Sequence, residues 1–317
     1  MKILLYGKNG QVGRELRRSL AVLGEVVALS SDSQDLCGNF TDLNGIAQTV
    51  RAVKPDVIVN AAAYTTVDKA ESELELAHLI NAQAPGVLAQ EAHKIGAWMV
   101  HYSTDYVFDG SGEKPWRETD TPNPLNVYGA SKWEGEKAVQ AAGCRHLIFR
   151  SGWIYAVRGR NFVKTILHLG QERDSLSIVN DQIGAPTGAE LVADMTAYAL
   201  RAALQNSQVS GHYHLAAEGE TSWYDYARFI LDFAQQSGIE IKVKPDAVLA
   251  TPSHDFPATA KRPLNSRLNT KKLQDTFGLY PPDWRVGVIR TLSELLEKTD
   301  SHPFDEIDYS AFGGIDA

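Results

Sequence analysis

Residues 2–13 read KILLYGKNGQVG, a short apolar run followed at once by a glycine-rich turn. The first five of these residues are typical of a buried strand, and the amphipathic residues 14–23 predict a helix directly after the turn. Gly7, Gly10 and Gly13 have the spacing G-x-x-G-x-x-G, a variant of the dinucleotide-binding fingerprint. Such glycines let the backbone approach a pyrophosphate at the positive end of a helix. We therefore predict a nucleotide site here, with a tight structural turn as the alternative.

Beyond this turn, strand-like apolar runs alternate with amphipathic helical runs. Strands are predicted over residues 25–29, 57–60, 98–103 and 146–155, and helices over residues 43–53 and 73–94. This alternation favours βαβ units and a parallel sheet, whose ligands bind beyond the carboxyl ends of the strands. The predicted fold class is α/β, a Rossmann-type doubly wound parallel sheet with a smaller mixed α/β C-terminal substrate lobe. Thr104 lies at one of the predicted strand ends.

The same pattern predicts how the chain is divided. Residues 1–150 are expected to form the dinucleotide-binding domain, and segments near residues 188–217 are expected to return to its sheet. Residues 151–298 are expected to form mainly the substrate-binding lobe. Residues 299–317 are rich in Asp and Glu and predict a mobile acidic tail.

Composition narrows the classes of partner. A formal net charge of -8 over 317 residues argues against nucleic acid or an anionic membrane as the main partner. Cys37 and Cys144 lack metal-ligand spacing, and no apolar run approaches the length of a membrane span. The apolar run near the N-terminus is too short for a signal peptide. We therefore expect a cytoplasmic protein that binds neither membrane nor nucleic acid.

Tyr128 and Lys132 are the candidate acid/base pair. If they lie on a helix, for which Asn126 is a suitable N-cap, the two side chains share one face about one turn apart. A nearby ammonium favours the phenolate form of a tyrosine, so such a pair can act as a general acid/base. The pattern is weak alone, because an exposed tyrosine beside a solvated lysine has the same spacing.

The end of the second predicted strand bears on cofactor choice. Folds selective for NAD usually place an acidic residue there, whereas this strand ends in Ser30 and Ser31. A serine does not repel a 2′-phosphate, and Lys8 and Arg14 near the glycine turn supply positive charge. NADPH is therefore the predicted cofactor, and NADH is the alternative because Asp32 could reach the ribose.

An ordered set of motifs across residues 1–298 carries a family resemblance. It comprises residues 7–13, 57–63, 67–71, 101–108, 124–129, 180–187 and 262–268. In order and spacing these segments resemble the extended short-chain dehydrogenase/reductase superfamily and, within it, the dTDP-4-dehydrorhamnose reductase family. The resemblance implies NAD(P)H-dependent reduction of the 4-keto group of dTDP-4-dehydro-6-deoxy-L-mannose to give dTDP-L-rhamnose. That is the last step of dTDP-rhamnose biosynthesis, which supplies lipopolysaccharide O-antigen.

The resemblance also implies roles for individual residues. Tyr128 would be the proton donor, Lys132 would bind the nicotinamide ribose and lower the tyrosine pKa, and Thr104 would hydrogen-bond the reacting oxygen. Asp105 and Trp153 would contact the sugar nucleotide. Together with Tyr128 and Lys132, the residues implied to line the cofactor cleft are Gly7, Gly10, Gln11, Val12, Gly13, Ser30, Asn39, Phe40, Ala63, Tyr64, Thr65 and Tyr102.

Some positions depart from relatives of the family. Related 4,6-dehydratases follow this threonine with Asp-Glu, whereas Tyr106 stands here in place of the glutamate, which favours reduction over dehydration. Ser30 and Asn39 stand where aspartate is common, and Gly152 replaces a hydroxyl residue, which is expected to loosen Trp153.

A metal and a dimer are further implications of the resemblance. Some members are associated with Mg²⁺ at a dimer contact, and Glu15, Glu190 and Glu294 are similar in placement to such ligands. Solvated surface glutamates are the alternative interpretation. A homodimer is left open.

Two other functions remain as alternatives. A sugar-nucleotide epimerase would recycle a bound cofactor and would need no added NAD(P)H. A non-catalytic regulatory subunit, like that of methionine adenosyltransferase, could keep a nucleotide pocket without turnover. The presence of Thr104, Tyr128 and Lys132 together argues against the second alternative.

Overall fold

The computed structural model describes residues 1–297, and the predicted tail over residues 299–317 lies outside them. The strands are β1 Lys2–Tyr6, β2 Glu25–Leu29, β3 Val57–Asn60, β4 Trp98–Thr104, β5 Arg145–Ser151, β6 Ile154–Tyr155, β7 Leu176–Val179, β8 Ile183–Gly184, β9 Thr187–Gly188, β10 Gly211–His214, β11 Thr221–Ser222 and β12 Val248–Thr251. The α-helices are α1 Gln11–Ala21, α2 Leu43–Val53, α3 Val67–Ala70, α4 Leu74–His78, α5 Ala84–Ile95, α6 Val127–Ala141, α7 Phe162–Glu172, α8 Ala189–Gln205, α9 Trp223–Gln236, α10 Lys271–Phe277 and α11 Trp284–Glu297.

Six parallel strands form the central sheet, in the order β10-β5-β4-β3-β1-β2. The inner strands β1 and β3 are almost continuously apolar, as is typical of a sheet with both faces covered. Helices α1 and α8 pack on one face, and α2 and α5 pack on the other. The chain order reverses between β1 and β3, which creates the crevice where such folds bind ligands. The predicted doubly wound α/β fold is confirmed.

A second apolar core lies outside this sheet. It is built from α7, α9, α11 and the parallel pair β7 and β12. The helix α8 and the strand β10, between residues 188 and 217, belong to the central sheet and its covering layer instead. None of the helices within the described range has the length and apolar character needed to cross a membrane.

Two predicted elements differ from the structure. The helix predicted over residues 73–94 is interrupted by a π-helical turn, Leu79–Gln83, between α4 and α5. The strand predicted over residues 146–155 breaks after Ser151, because Trp153 adopts φ +52°, and the separate short strand β6 starts after it. Both interruptions depend on tertiary contacts of the site and leave no periodicity signal in the sequence.

Candidate active site

The turn between β1 and α1 leaves no room for side chains. Gly7 has φ +85°, and a Cβ on it would lie 2.6 Å from the carbonyl carbon of Ala61 at the end of β3. A Cβ on Gly13 would lie 1.9 Å from the Gly7 oxygen. Gly10 is the N-cap of α1 and offers no side-chain cap, so the first N–H groups of the helix are available to an anion. This cradle fits the pyrophosphate of a dinucleotide.

Gln11 and Val12 begin α1 next to this cradle. The Gln11 Oε1 accepts a hydrogen bond of 2.9 Å from Asn161 Nδ2 at the N-cap of α7. Val12 packs against the core that α1 and α8 form with the sheet. The turn is therefore tied to both cores of the protein.

The end of β2 carries the residues that bear on cofactor choice. The buried Ser30 donates its hydroxyl to Asp32, which lowers the pKa of that carboxyl. The Ser30 backbone N–H donates to Ser33 Oγ at 3.0 Å, and Lys8 Nζ donates to the same oxygen at 3.5 Å. Lys8 thus lies beside the strand end, as expected. Sequence reasoning missed Ser33, because only the fold of this loop marks it.

Asn39 and Phe40 use their side chains for the fold. Asn39 Oδ1 accepts hydrogen bonds from the Thr41 backbone N–H at 3.0 Å and the Thr41 hydroxyl at 2.9 Å. The Phe40 ring packs edge-on against Tyr6, with centroids 5.4 Å apart. Any contact from the buried Phe40 to a ligand would therefore come mainly from its backbone.

Asn81 connects the end of β3 to helix α6. Its Oδ1 accepts a hydrogen bond of 2.8 Å from the Tyr64 N–H, and its Nδ2 donates to the Tyr64 carbonyl and to Ser131 Oγ, each at 3.0 Å. Gly135 permits this approach, because a Cβ there would lie 2.1 Å from the backbone carbonyl oxygen of Asn81. The sequence placed Asn81 only in the middle of a helix, and the π-helical turn that aims it has no sequence signal.

The residues after β3 form one wall of the crevice. Ala63 and Tyr64 are half-buried and Thr65 is exposed, and the backbone of the preceding Ala61 and Ala62 lies against Gly7. The Tyr64 hydroxyl donates to Glu73 Oε2 at 2.5 Å. The side chain of Tyr64 is thereby held, and its partly exposed neighbours remain accessible to a ligand.

Helix α6 and strand β4 bring the three predicted catalytic side chains to one place. Asn126 caps the helix by accepting a 2.8 Å hydrogen bond from the Gly129 N–H, as predicted. Lys132 is buried and donates from Nζ to the Tyr102 carbonyl at 2.5 Å. The Tyr128 hydroxyl lies within hydrogen-bonding reach of Thr104, at the carboxyl end of β4.

Tyr102 contributes its carbonyl to this arrangement and directs its side chain elsewhere. The Tyr102 hydroxyl pairs with Thr196 Oγ1 on α8 at 2.8 Å. The backbone of β4 therefore fixes the ammonium of Lys132, while the ring of Tyr102 belongs to the core.

Burial changes the pKa values of Tyr128 and Lys132. Loss of water raises the pKa of Tyr128 to about 12, although Thr104 acts in the lowering direction. Burial lowers the pKa of Lys132 to about 8, and Glu136 opposes that change. The net shift of Tyr128 is opposite to the lowering that the Tyr-x-x-x-Lys pattern predicts, because desolvation, together with the charge of Asp105, outweighs the hydrogen bond with Thr104. Tyr128 is consequently a neutral phenol at neutral pH.

Asp105 follows Thr104 and is almost fully buried. Its Oδ1 accepts the Thr104 hydroxyl at 2.9 Å, and the Ser266 hydroxyl also interacts with this carboxyl. Burial nevertheless raises the Asp105 pKa to about 6. A threonine hydroxyl has one proton, which Thr104 donates to Asp105, while its oxygen accepts a hydrogen bond of 3.1 Å from the Tyr106 backbone N–H. Ser266 lies 161 positions further along the chain, and sequence reasoning did not identify it as a partner of Asp105.

Trp153 is fixed by aromatic packing. Its ring stacks on Trp223 with centroids 3.6 Å apart and planes 11° apart, and a Cβ on Gly184 would lie 2.8 Å from it on another side. A Cβ on Gly152 would lie 2.6 Å from Asp105 Cγ. The expectation that Gly152 loosens Trp153 is therefore wrong, because this glycine makes room for Asp105 and the tryptophan is held by other residues.

The magnesium prediction is not supported. Glu190 pairs with Arg290 at 2.6 Å, and Glu15 pairs with Arg18 at 3.4 Å. Glu294 is exposed on α11. Within residues 1–297, no group of three or more His, Cys, Asp or Glu side chains could hold a metal ion. Arginine partners occupy two of the three carboxylates that the prediction assigned to the ion, those of Glu15 and Glu190.

Comparison with known proteins supports this description. Residues 1–297 match the family described as RmlD substrate binding domain. The dTDP-4-dehydrorhamnose reductase of Escherichia coli K12 is 54% identical over 94% of this chain and 99% of that protein. The protein of the same name from Burkholderia thailandensis is 45% identical over 94% of this chain and 100% of its own length.

Solved structures agree with the sequence comparison. A dTDP-4-dehydrorhamnose reductase from Bacillus anthracis, in complex with NADP, is 34% identical, with a TM-score of 0.82 over 92% of this chain and 99% of its own. The orthologue from Clostridium acetobutylicum is 37% identical, with a TM-score of 0.83 over 93% of this chain and 100% of its own. The chain therefore belongs to the dTDP-4-dehydrorhamnose reductase family of the extended short-chain dehydrogenase/reductase superfamily, as its motifs predicted.

Proposed function

We propose that this chain reduces the 4-keto group of dTDP-4-dehydro-6-deoxy-L-mannose to give dTDP-L-rhamnose, with NADPH as the reductant. The observation that carries the proposal is the meeting of Tyr128, Lys132 and Thr104 at the carboxyl end of the parallel sheet, on two separate elements. Family membership and the name of the relatives support the choice of substrate.

NADPH, when bound, supplies the hydride. Gly7, Gly10 and Gly13 would hold its pyrophosphate, since their backbone is bare of side chains at the start of α1. Lys8 and Ser33 beside the end of β2 favour a 2′-phosphate, and the NADP bound to the Bacillus anthracis relative supports the same choice. NADH remains the alternative cofactor.

Tyr128 is the proposed proton donor. Its raised pKa keeps the phenol protonated at neutral pH, which is the form that can protonate an oxygen gaining negative charge. Its hydroxyl, within reach of Thr104, would turn to the substrate oxygen. Lys132, held by the Tyr102 carbonyl, places a positive charge next to the ribose and the phenol.

Asp105 and Trp153 are the proposed substrate contacts. Asp105 orients the Thr104 hydroxyl through their 2.9 Å hydrogen bond, and its Oδ2 has no partner within the described residues, so it could accept from a sugar hydroxyl. Trp153, stacked on Trp223, offers a fixed apolar face. In this proposal residues 1–150 with the returning segments near 188–217 bind the cofactor, and residues 151–298 mainly bind the sugar nucleotide. Homodimerisation and a cytoplasmic location stay predictions.

The test is a spectrophotometric assay of NADPH and NADH oxidation against a panel of 4-keto-6-deoxy sugar nucleotides, with a blank that lacks sugar. We expect oxidation that depends on dTDP-4-dehydrorhamnose and yields dTDP-L-rhamnose. A folded protein that binds NADPH but oxidises it with no member of the panel would refute the proposal. Turnover without added reductant would instead identify an epimerase.

A further inference from the structure

Glu136 lies one helical turn beyond Lys132 on α6. Residues four apart on a helix are neighbours on one face, and both side chains are buried, with 0% of Glu136 and 2% of Lys132 exposed. An acidic and a basic group are thus enclosed side by side, directly behind the proposed acid/base pair.

Arg150 holds the carboxylate of Glu136 in a bidentate pair. Its Nε donates to Oε1 at 2.9 Å and its Nη2 donates to Oε2 at 2.6 Å. The guanidinium packs over the rings of Phe108 and Trp133, at 5.1 and 5.8 Å from their centroids. These contacts keep the pKa of Glu136 low, at about 2, so a full negative charge is fixed in the interior.

A fixed negative charge of this kind stabilises the protonated form of Lys132. An ammonium taken out of water tends to lose its proton unless an opposite charge lies close by. Burial lowers the pKa of Lys132, and Glu136 is the group that raises it. The pKa that results, about 8, leaves little margin above neutral pH.

The other titratable and charged groups around this pair come from four elements: Tyr128 on α6, His101 on β4, His146 and Arg150 on β5, and His212 on β10. His101 is fully buried, and burial and Lys132 both lower its pKa, so it stays neutral. His212 Nε2 lies 3.4 Å from Glu136 Oε2. Glu136 is thus the negatively charged group of this set at neutral pH.

We propose that Glu136, held in place by Arg150, is a positioning residue that keeps the Lys132 ammonium charged for the cofactor ribose and for Tyr128. This inference rests on the proposed function for its consequence in catalysis. Its physical content is a charge coupling, and that coupling is measurable without turnover.

The test compares the pH dependence of NADPH binding, followed by fluorescence, in the wild type, Glu136→Gln and Arg150→Gln. In the wild type, affinity falls as the pH rises and Lys132 loses its proton. Glu136→Gln removes the negative charge that stabilises the Lys132 ammonium, so the pH at which NADPH affinity falls is lower by about one unit or more. Arg150→Gln removes the guanidinium that keeps the Glu136 carboxyl ionised and in place, so the pH at which affinity falls is again lowered. Downward shifts in both variants are expected, whereas a merely structural pair would weaken binding in both without moving the pH of the fall.

Glu91→Gln is the matched control. Glu91 is also a buried glutamate paired with an arginine, Arg51, but it lies on α5 and is not among the groups that act on Lys132. We expect Glu91→Gln to leave unchanged the pH at which NADPH affinity falls.

The outcomes separate the two proposals. An upward shift, or no shift, in Glu136→Gln would overturn the role of Glu136. If Glu136→Gln does not fold, the presence or absence of a downward shift in Arg150→Gln still decides. If the wild type binds NADPH but reduces no 4-keto sugar, the proposed function fails and the shifts still test the coupling. If it binds no NADPH, the pKa of the Lys132 ¹⁵Nζ resonance, measured by NMR in the same variants, gives the same comparison.

Discussion

Replacing Asp105 by asparagine tests the electrostatics of the site through protein stability. Asp105 is 2% exposed, and its pKa rises from the ordinary value of 3.8 to about 6 on folding. Because the folded pKa is the higher one, ionised Asp105 costs stability, and the unfolding free energy falls as the pH rises through this range. The linkage relation gives a cost of about 2 kcal/mol at about pH 5 and about 3 kcal/mol at about pH 8.

Asp105→Asn has nearly the same shape and no charge, so it lacks this cost. Its amide oxygen can still accept the Thr104 hydroxyl, and any change in the hydrogen bonds shifts stability by an amount independent of pH. The stability of the wild type relative to the variant should therefore fall by about 1 kcal/mol between about pH 5 and about pH 8. Urea unfolding at the two pH values measures this difference.

Asp109→Asn is a suitable control from the same loop. Hydrogen bonds from Ser111 lower the pKa of Asp109, so its contribution to stability is lost as the pH falls, the opposite direction. The stability difference between the wild type and Asp105→Asn could instead stay constant with pH, or grow in favour of the wild type as the pH rises. Either result would show that burial does not raise the pKa of Asp105.

Two further substitutions probe the site. Lys132→Met should weaken NADPH binding and lower kcat together, because the same ammonium serves both. NADPH titration and steady-state kinetics measure the two effects. A variant that loses only NADPH affinity, or only kcat, would contradict this prediction. Gly152→Ala should destabilise the protein by about 1–3 kcal/mol, since the new Cβ would lie 2.6 Å from Asp105 Cγ, and it should raise KM for the sugar nucleotide. Thermal unfolding with kinetics measures both effects, and an unchanged Tm would count against the close contact.

Local signals explain what the sequence could predict. The strand, glycine turn and helix over residues 2–21 are specified by consecutive residues, and so is the N-cap of α6 at Asn126. The placement of Thr104 at a strand end followed from the parallel-sheet pattern, whereas its pairing with Tyr128 was implied by the family resemblance. These features depend on periodicity and on turn chemistry, both of which can be read along the chain.

The remaining features depend on contacts distant in sequence. Ser266 reaches Asp105 across the protein, and Asn81 reaches Ser131 only because a π-helical turn aims it. The direction of the Tyr128 pKa shift could not be predicted from the sequence either, because residue spacing indicates a nearby charge but not the loss of water on folding. The break before Trp153 likewise reflects its stack on Trp223, which no local pattern encodes.

The most direct test of the account is a single-turnover experiment with Tyr128→Phe, in which NADPH absorbance is followed after mixing with dTDP-4-dehydrorhamnose. The account predicts NADPH affinity equal to that of the wild type and a reduction rate lower by about 10²–10⁴-fold, the usual contribution of a positioned proton donor. Reduction at close to the wild-type rate would show that Tyr128 does not donate the proton.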